Sequence, residues 1–215
     1  MRVKICGITN IAQGIEIVSL GASSIGFICV ESSPRYVTPQ QIKGIAEQLP
    51  TTVDKVGVFA NHELTKIKDV VESAGLTSVQ LHGQESPDFC LQLRQLLGSN
   101  IELIKAFRIK SADSLAQTTA YQDCIDILLL DAYHPQLLGG TGKTIDWQDL
   151  VQFKPLLPWM LAGGLTPENV GEAISRLHPD GIDLSSGVER SPGDKDLAKV
   201  AQLFQVIDKL SPELI

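Results

Sequence analysis

The chain has few cysteines, and their spacing fits neither a metal site nor a disulfide framework. Cys6, Cys29, Cys90 and Cys124 lie far apart in the sequence and form no CxxC pair. Zinc sites use closely spaced pairs, and disulfide frameworks belong mainly to small secreted domains rather than to chains of 215 residues. We therefore expect reduced thiols, no bound metal and a cytoplasmic location.

Long apolar runs and basic clusters are also missing. No run approaches the ~18 residues of a membrane helix, and a strand that begins by residue 3 leaves no room for a signal peptide. The formal net charge is −7, which argues against nucleic acid as the main partner. We expect a small-molecule partner, no membrane and no nucleic acid, and either a monomer or a homodimer.

What the sequence does contain is a regular alternation of strand-like and helical patterns. Amphipathic stripes of helical spacing separate most of the strand-like runs, although the stripes over 111–120 and 146–153 are weak. Thr38, Ser86 and Thr166 each precede a proline, which is typical of a helix start. The eight apolar, β-branched runs lie at 3–6, 25–30, 55–59, 79–82, 103–107, 127–131, 159–163 and 182–185.

This alternation predicts an α/β fold, a (β/α)8 TIM barrel. The main alternative is an open doubly wound sheet, which usually has fewer strands and a single glycine-rich crevice. Here glycine turns follow many of the strands. No linker or change of composition divides the chain, so we expect one domain over residues 1–215.

In such a barrel the chemistry lies at the carboxyl ends of the strands. Strand one ends at Cys6, directly before a glycine turn, strand four at His82 and strand six at Asp131. A thiol held there is available for chemistry, although a lone cysteine is more often a small buried apolar residue.

Side-chain alternation predicts which polar groups point into the barrel. If Ile5 faces the helices, Lys4 and Cys6 point inward, and Lys4 should pair with Asp183 across strands one and eight. Such groups could equally serve only to satisfy one another. By the same parity the other inward polar residues are Gln80, His82, Lys105, Asp131 and Ser185.

Two glycine turns after strands seven and eight predict a phosphate site. Gly163-Gly164 and Ser186-Gly187 allow close approach of the backbone, whose N–H groups bind anions. A helix expected just after Gly164 would add the positive end of its dipole. A third cluster, 139–144, contains Gly-Lys-Thr but lacks the earlier glycine of a nucleotide-binding P-loop, so we interpret it as a lid after strand six.

Arg35 follows Ser33-Pro34 at the end of strand two. Its position predicts an exposed side chain, and a planar guanidinium suits a carboxylate ligand. The alternative is an ordinary solvated loop arginine.

The segments that hold these residues resemble the phosphoribosylanthranilate isomerase family from end to end. They occur in the order KICGIT, GFICVESSPRYVTP, VGVFAN, VQLHGQE, LLLDA, GGTGKTIDW, LAGGLTPENV and DLSSGVERSPGDKD. One departure is Gln13-Gly14, where the family commonly has an acidic pair.

The resemblance implies an Amadori rearrangement of an aminoaldose in tryptophan biosynthesis, without metal or organic cofactor. Cys6 would be the general base, partly thiolate through nearby positive charge, and Asp131 the general acid. Arg35 would hold the anthranilate carboxylate, the loops at 163–164 and 186–187 the phosphate, and Asp183 would orient the substrate. His82 is a further expected substrate contact.

Two other functions compete with this interpretation. The related histidine-pathway isomerase performs the same rearrangement with two aspartates and two phosphate sites, and Cys6 with one clear phosphate site argues against it. A barrel that only binds a sugar phosphate would keep the glycine turns without an acid and a base at the strand ends.

Overall fold

The centre of the fold is a closed ring of eight parallel strands. It is seen in a computed structural model that describes residues 1–109, 112–132 and 150–210. The strands pair in chain order, and β8 closes the ring by pairing with β1. The strands are β1 (Arg2–Cys6), β2 (Ser24–Ile28), β3 (Asp54–Phe59), β4 (Ser78–Leu81), β5 (Glu102–Ile109), β6 (Ile127–Ala132), β7 (Trp159–Ala162) and β8 (Gly181–Leu184). The predicted (β/α)8 barrel is confirmed.

Helices follow most of the strands and cover the outside of the ring. After β5, where the amphipathic stripe over 111–120 is weak, the chain forms a short helix that continues as a 3₁₀ turn over Gln117–Tyr121. The helices, numbered here in chain order, are α1 (Ile11–Ser19), α2 (Pro39–Ala46), α3 (Leu64–Ala74), α4 (Pro87–Leu97), α5 (Ala112–Ala116), α6 (Val170–Leu177) and α7 (Leu197–Leu210).

Two of the three hydroxyl–proline signals mark helix starts correctly. Thr38 caps α2 in a capping box with Gln41, and Ser86 caps α4. The start predicted at Thr166 is wrong, because turns occupy the next residues and α6 begins at Val170. The Asn169 side chain accepts a hydrogen bond from the Thr166 N–H at 2.8 Å, and the Thr166 hydroxyl accepts one from the Glu168 N–H at 3.3 Å, so both side chains stabilise the turns that precede the helix.

Alternating side chains divide the core into two apolar layers. One lies between the strands and the helices, and the other fills the barrel with Val56, Ile104, Ala106, Ile127, Leu129, Met160 and Ala162. Since Ile104 and Ala106 point inward, Lys105 between them points to the helix side. Its predicted inward orientation is therefore wrong, and its Nζ lies 3.1 Å from a buried Glu85 oxygen.

A small hairpin after β8 was not predicted. It consists of β9 (Glu189–Ser191) and β10 (Asp194–Lys195), which pair in antiparallel fashion before α7 begins. Strands of two and three residues are too short to produce a readable alternation. Among the described residues, no helix is both long and apolar enough to cross a membrane.

Candidate active site

A cavity of about 210 Å³ lies at the carboxyl ends of the strands, where the sequence places the chemistry. Gln80 and Ser185, which are both predicted to point into the barrel, line this cavity. All nine predicted site residues line it: Cys6, Arg35, His82, Asp131, Gly163, Gly164, Asp183, Ser186 and Gly187.

Cys6 is the last residue of β1, and its sulfur lies against a strand position without a side chain. Gly26 is its partner in β2. A Cβ atom at Gly26 would lie 2.7 Å from Cys6 Sγ and 3.0 Å from Lys4 Cε. The missing side chain of Gly26 thus makes room for the thiol and for the lysine stem at the same point.

Lys4 and Asp183 form the predicted ion pair across β1 and β8. Lys4 is fully buried, and its Nζ donates a hydrogen bond of 2.9 Å to Asp183 Oδ2. Asp183 Oδ1 is buried and has no hydrogen-bond partner among the described residues. One oxygen of Asp183 therefore holds Lys4, while the other is an unused acceptor on a residue that lines the cavity.

The electrostatic environment of Cys6 differs from the expectation of a partly ionised thiol. Burial raises the pKa of Cys6 above its ordinary value, against the opposing positive charges of Lys4 and Lys195. Nearby positive charge is present, as predicted, but removal from water has the larger effect. The thiolate is therefore less favoured at Cys6 than at an ordinary cysteine.

Asp131 lies near the end of β6, beside His82, whose ring orientation is fixed by Gln80. His82 Nε2 lies 3.6 Å from Asp131 Oδ2, and His82 Nδ1 lies 3.0 Å from Gln80 Nε2. This contact leaves His82 Nε2 facing Asp131. Gln80 thereby sets the direction of the His82 ring.

Arg35 is half-buried and ion-paired, in contrast to the exposed side chain that its loop position predicts. It donates to both carboxylate oxygens of Glu189, which also accepts from Lys195 Nζ at 2.7 Å. Sequence analysis missed Glu189 and Lys195. Both stand in the quoted segment DLSSGVERSPGDKD, but nothing local in the sequence connects them with Arg35, 154 residues from Glu189.

The two glycine loops come together at one side of the cavity. Gly163 and Gly164 have φ angles of +94° and +64°, a backbone conformation that favours glycine. A Cβ atom at Gly187 would overlap the carbonyl oxygen of Leu165, so the loop after β8 packs directly on the loop after β7. The helix expected directly after Gly164 begins only at Val170, which removes its N-terminus from the loop itself.

The other three cysteines belong to the apolar layer between the strands and the helices. Cys29, Cys90 and Cys124 are all buried in it. The lid proposed at 139–144 lies outside the described residues.

The fold and the cavity together define a barrel enzyme in which a thiol, carboxyl groups, an arginine and two glycine loops lie at one rim. Residues 3–206 match the family model described as N-(5'phosphoribosyl)anthranilate (PRA) isomerase. An N-(5'-phosphoribosyl)anthranilate isomerase from Rippkaea orientalis is 62% identical over 211 residues, which is 98% of each chain. The protein of that name from Gloeothece citriformis is 60% identical over 97% of this chain and 94% of its own.

Solved structures show the same likeness. The phosphoribosyl anthranilate isomerase of Thermotoga maritima superposes with a TM-score of 0.87 at 37% identity, covering 98% of this chain and all of the other. A phosphoribosyl anthranilate isomerase in complex with reduced 1-(o-carboxyphenylamino)-1-deoxyribulose 5-phosphate has a TM-score of 0.83 at 34% identity, over 98% of this chain and 100% of that one. The chain belongs to the phosphoribosylanthranilate isomerase family and is an isomerase.

Proposed function

We propose that this isomerase converts N-(5'-phosphoribosyl)anthranilate to 1-(2-carboxyphenylamino)-1-deoxyribulose 5-phosphate in tryptophan biosynthesis, with Cys6 as general base and Asp131 as general acid. The observation that carries the proposal is that a thiol, a carboxyl group, an arginine and two glycine loops line the same cavity. Family membership supports the reaction, and the cavity supports the assignment of residues.

The substrate has two anionic ends, and the site offers a group for each of them. The backbone of the loops at 163–164 and 186–187 suits the phosphate, and the guanidinium of Arg35 suits the anthranilate carboxylate. When both ends are held, the ribose lies over the middle of the cavity, between Cys6 and Asp131. Fixing the reacting carbon in this way supplies much of the rate enhancement.

The chemistry requires one proton to be given and one to be taken. Asp131 gives a proton to the furanose ring oxygen, the C1–O bond breaks, and an iminium forms between C1 and the anthranilate nitrogen. The Cys6 thiolate then takes the C2 proton, and the electron pair of that C–H bond forms the C1=C2 bond of an enolamine. Transfer of a proton from the C2 hydroxyl to C1 completes the aminoketose. Return of a proton from the Cys6 thiol to the Asp131 carboxylate, by way of solvent, restores both groups for the next turnover.

The raised pKa of Cys6 is compatible with this role. A thiolate that is disfavoured in the free enzyme is a stronger base once it forms, although a smaller fraction of the molecules carries it. The unused oxygen of Asp183 lies at the same rim and is suited to accept a hydrogen bond from a substrate hydroxyl.

Other features support the setting of the reaction. All four cysteines are free thiols, which supports the cytoplasm as the compartment. A monomer or a homodimer remains part of the proposal, since a Thermotoga maritima relative at 34% identity is described as dimeric and was also obtained as monomers.

The test is to supply freshly prepared phosphoribosylanthranilate and to follow the loss of its fluorescence. We expect the wild-type enzyme to accelerate the reaction, and Cys6→Ala and Asp131→Asn each to lower kcat by at least ~10²-fold. Cys90→Ala is the matched control, because it removes a thiol from the outer apolar layer, and it should keep nearly full activity. No acceleration by the wild type would refute the function, and near wild-type turnover of either site variant would refute that residue's role.

A further inference from the structure

A buried charged cluster lies beside the cavity and contains two residues to which the reaction gives no task. We call Arg35, Glu189 and Lys195 the Glu189 cluster. Arg35 comes from the loop after β2, whereas the other two come from the β9–β10 hairpin. Side-chain exposure is 4% for Glu189 and 0% for Lys195, so neither ion is solvated.

Glu189 holds one particular edge of the Arg35 guanidinium. Arg35 Nε lies 2.9 and 3.1 Å from the two carboxylate oxygens, and Nη2 lies 2.5 Å from Oε2. A guanidinium has a second edge, formed by Nη1 and the other hydrogen of Nη2, which also matches a carboxylate. No described residue accepts a hydrogen bond from Nη1, and Arg35 lines the cavity. The pairing with Glu189 therefore leaves the second edge for another carboxylate.

Lys195 keeps the charge of the cluster favourable for an anion. Arg35 and Glu189 alone would form a neutral pair, and a protonated Lys195 returns the net charge of the three residues to +1. Burial lowers the pKa of Lys195, and its hydrogen bond to Glu189 opposes this effect. Burial works against ionisation of Glu189, but its hydrogen bonds from Arg35 and Lys195 hold the pKa of its carboxyl group below the ordinary value. Glu189 is therefore ionised when substrate arrives.

The cluster is also connected with the strand end that holds the thiol. Lys195 Nζ donates to the Ser185 carbonyl at 3.2 Å, and Ser185 Oγ donates to the Cys6 carbonyl at 3.0 Å. A Cβ atom at Gly7, the residue after Cys6, would lie 2.7 Å from Arg35 Cδ. The Arg35 side chain thus lies directly across the turn that follows β1.

We propose that Glu189 is a positioning residue that orients Arg35 toward the substrate carboxylate, with Lys195 as its buried countercharge. The inference rests on the proposed function, because it takes Arg35 as the carboxylate-binding group. The inference adds that the β9–β10 hairpin determines recognition of the substrate carboxylate. Its residues act through Arg35 and not by contact with the substrate.

The experiment compares two ligands that differ only in the carboxyl group. One is reduced 1-(o-carboxyphenylamino)-1-deoxyribulose 5-phosphate, and the other is the same compound made from aniline. With Glu189→Gln we expect Kd for the carboxylate ligand to rise about tenfold, as for a displaced charge-assisted hydrogen bond, while Kd for the aniline ligand stays within about twofold. In turnover the same variant should raise KM about tenfold and lower kcat much less.

Two further variants distinguish a loss of Arg35 positioning from a general disturbance of the fold. Glu189→Gln combined with Lys195→Met removes both buried charges, so neither is left unpaired, and it should show the same ligand dependence. Arg190→Ala is the matched control on the same hairpin, because Arg190 is exposed and pairs with Asp194 at 2.8 Å. It should leave both affinities unchanged.

Arg35→Ala separates failure of this inference from failure of the proposed function. If Arg35→Ala weakens only the carboxylate ligand while the two Glu189 variants weaken both ligands equally, or neither, Glu189 does not position Arg35 and the function stands. If Arg35→Ala itself weakens both ligands equally, Arg35 is not the carboxylate-binding group and the role proposed for it fails.

Discussion

Cys6 is distinguished from the other three cysteines by what surrounds its sulfur. Cys29 and Cys90 belong to the apolar layer between the strands and the helices, and burial raises the pKa of each to about 12. Cys6 is also buried, but its sulfur lies beside the bare Gly26 and close to the Lys4 stem. It is the one cysteine of the four that lines the cavity between the strand ends.

The raised pKa of Cys6 predicts how the thiol reacts with an alkylating reagent. Iodoacetamide reacts with the thiolate, so the rate at Cys6 should still rise with pH through ~8.5, the ordinary value for a thiol. Lys4→Met should lower the rate at a given pH further, because it removes the positive charge that opposes burial. Mass spectrometry of the peptide that contains Cys6 measures both rates.

The matched control for this prediction is Lys68→Met, which removes a lysine from the outer surface of α3, where it faces Glu72 at 3.7 Å. It should leave the alkylation rate of Cys6 unchanged. A rate that levels off below pH 7, or one that Lys4→Met increases, would contradict the account of the thiol.

For single residues, the alternation of side chains along a strand often predicts which way a side chain points, but it rarely predicts which residue it contacts. The parity of β1 placed Cys6 and Lys4 inside the barrel and led to the pairing with Asp183. The same argument failed at Lys105, since β5 alternates in the opposite phase. Glu189 could not be found as the partner of Arg35, because only closure of the barrel brings β2 and the hairpin after β8 together.

Among the elements, the loops after β7 and β8 depend on each other for their shape. Gly187 packs against the Leu165 carbonyl, and Asn169 Nδ2 donates to the Gly164 carbonyl at 3.0 Å. The loop after β7 is thus fixed from its own C-terminal side as well as from its neighbour. Such rigidity suits a backbone site whose N–H groups must converge on one anion.

Gly187→Ala tests whether this contact shapes the proposed phosphate site. The added methyl group overlaps Leu165, so the two loops must move apart, and we expect KM and the inhibition constant of inorganic phosphate to rise about tenfold or more. Steady-state kinetics measures both constants.

Gly44→Ala is the matched control, because a Cβ atom there meets nothing within 4 Å. It lies inside α2 and should stabilise the protein by ~0.5–1 kcal/mol without changing KM. Unchanged phosphate inhibition in a folded Gly187→Ala enzyme would separate the phosphate site from the contact between the loops.

Helices and strands were predictable where the sequence has a periodic apolar pattern or a recognisable turn or capping residue. Every one of the eight barrel strands lies within two residues of its predicted range, because alternating apolar and turn residues are local properties of the sequence. The start of α6 was misplaced because the Thr166-Pro167 signal is followed by three residues of turn before the helix begins at Val170. The β9–β10 hairpin is held largely by buried charges, to which hydrophobic periodicity does not respond.

For the whole molecule, the two ends of the barrel have different tasks. At the amino ends of the strands, Arg2 joins Asp54 at 3.0 Å and Glu102 at 2.8 Å, and these ion pairs tie β1 to β3 and β5. At the carboxyl ends, the polar groups face the cavity. This division is the one expected for a barrel enzyme, with stability at one end and chemistry at the other.

The fold and the position of the rim were therefore predictable, whereas the arrangement across the rim was not. Strand ends follow from local patterns, so the residues that line the cavity could be named in advance. The contacts among them depend on register around the closed ring. A single domain over residues 1–215 stays a prediction, because residues 211–215 lie outside the described part.

The most direct test of the proposed site is a crystal structure of this protein with reduced 1-(o-carboxyphenylamino)-1-deoxyribulose 5-phosphate. We expect the phosphate on the loops at 163–164 and 186–187, the carboxylate on Arg35, and the ribose carbons between Cys6 and Asp131. Cys6 Sγ should lie within ~3–3.5 Å of C2, the carbon that loses its proton. A ligand bound with C2 out of reach of Cys6, or with its carboxylate away from Arg35, would contradict the account.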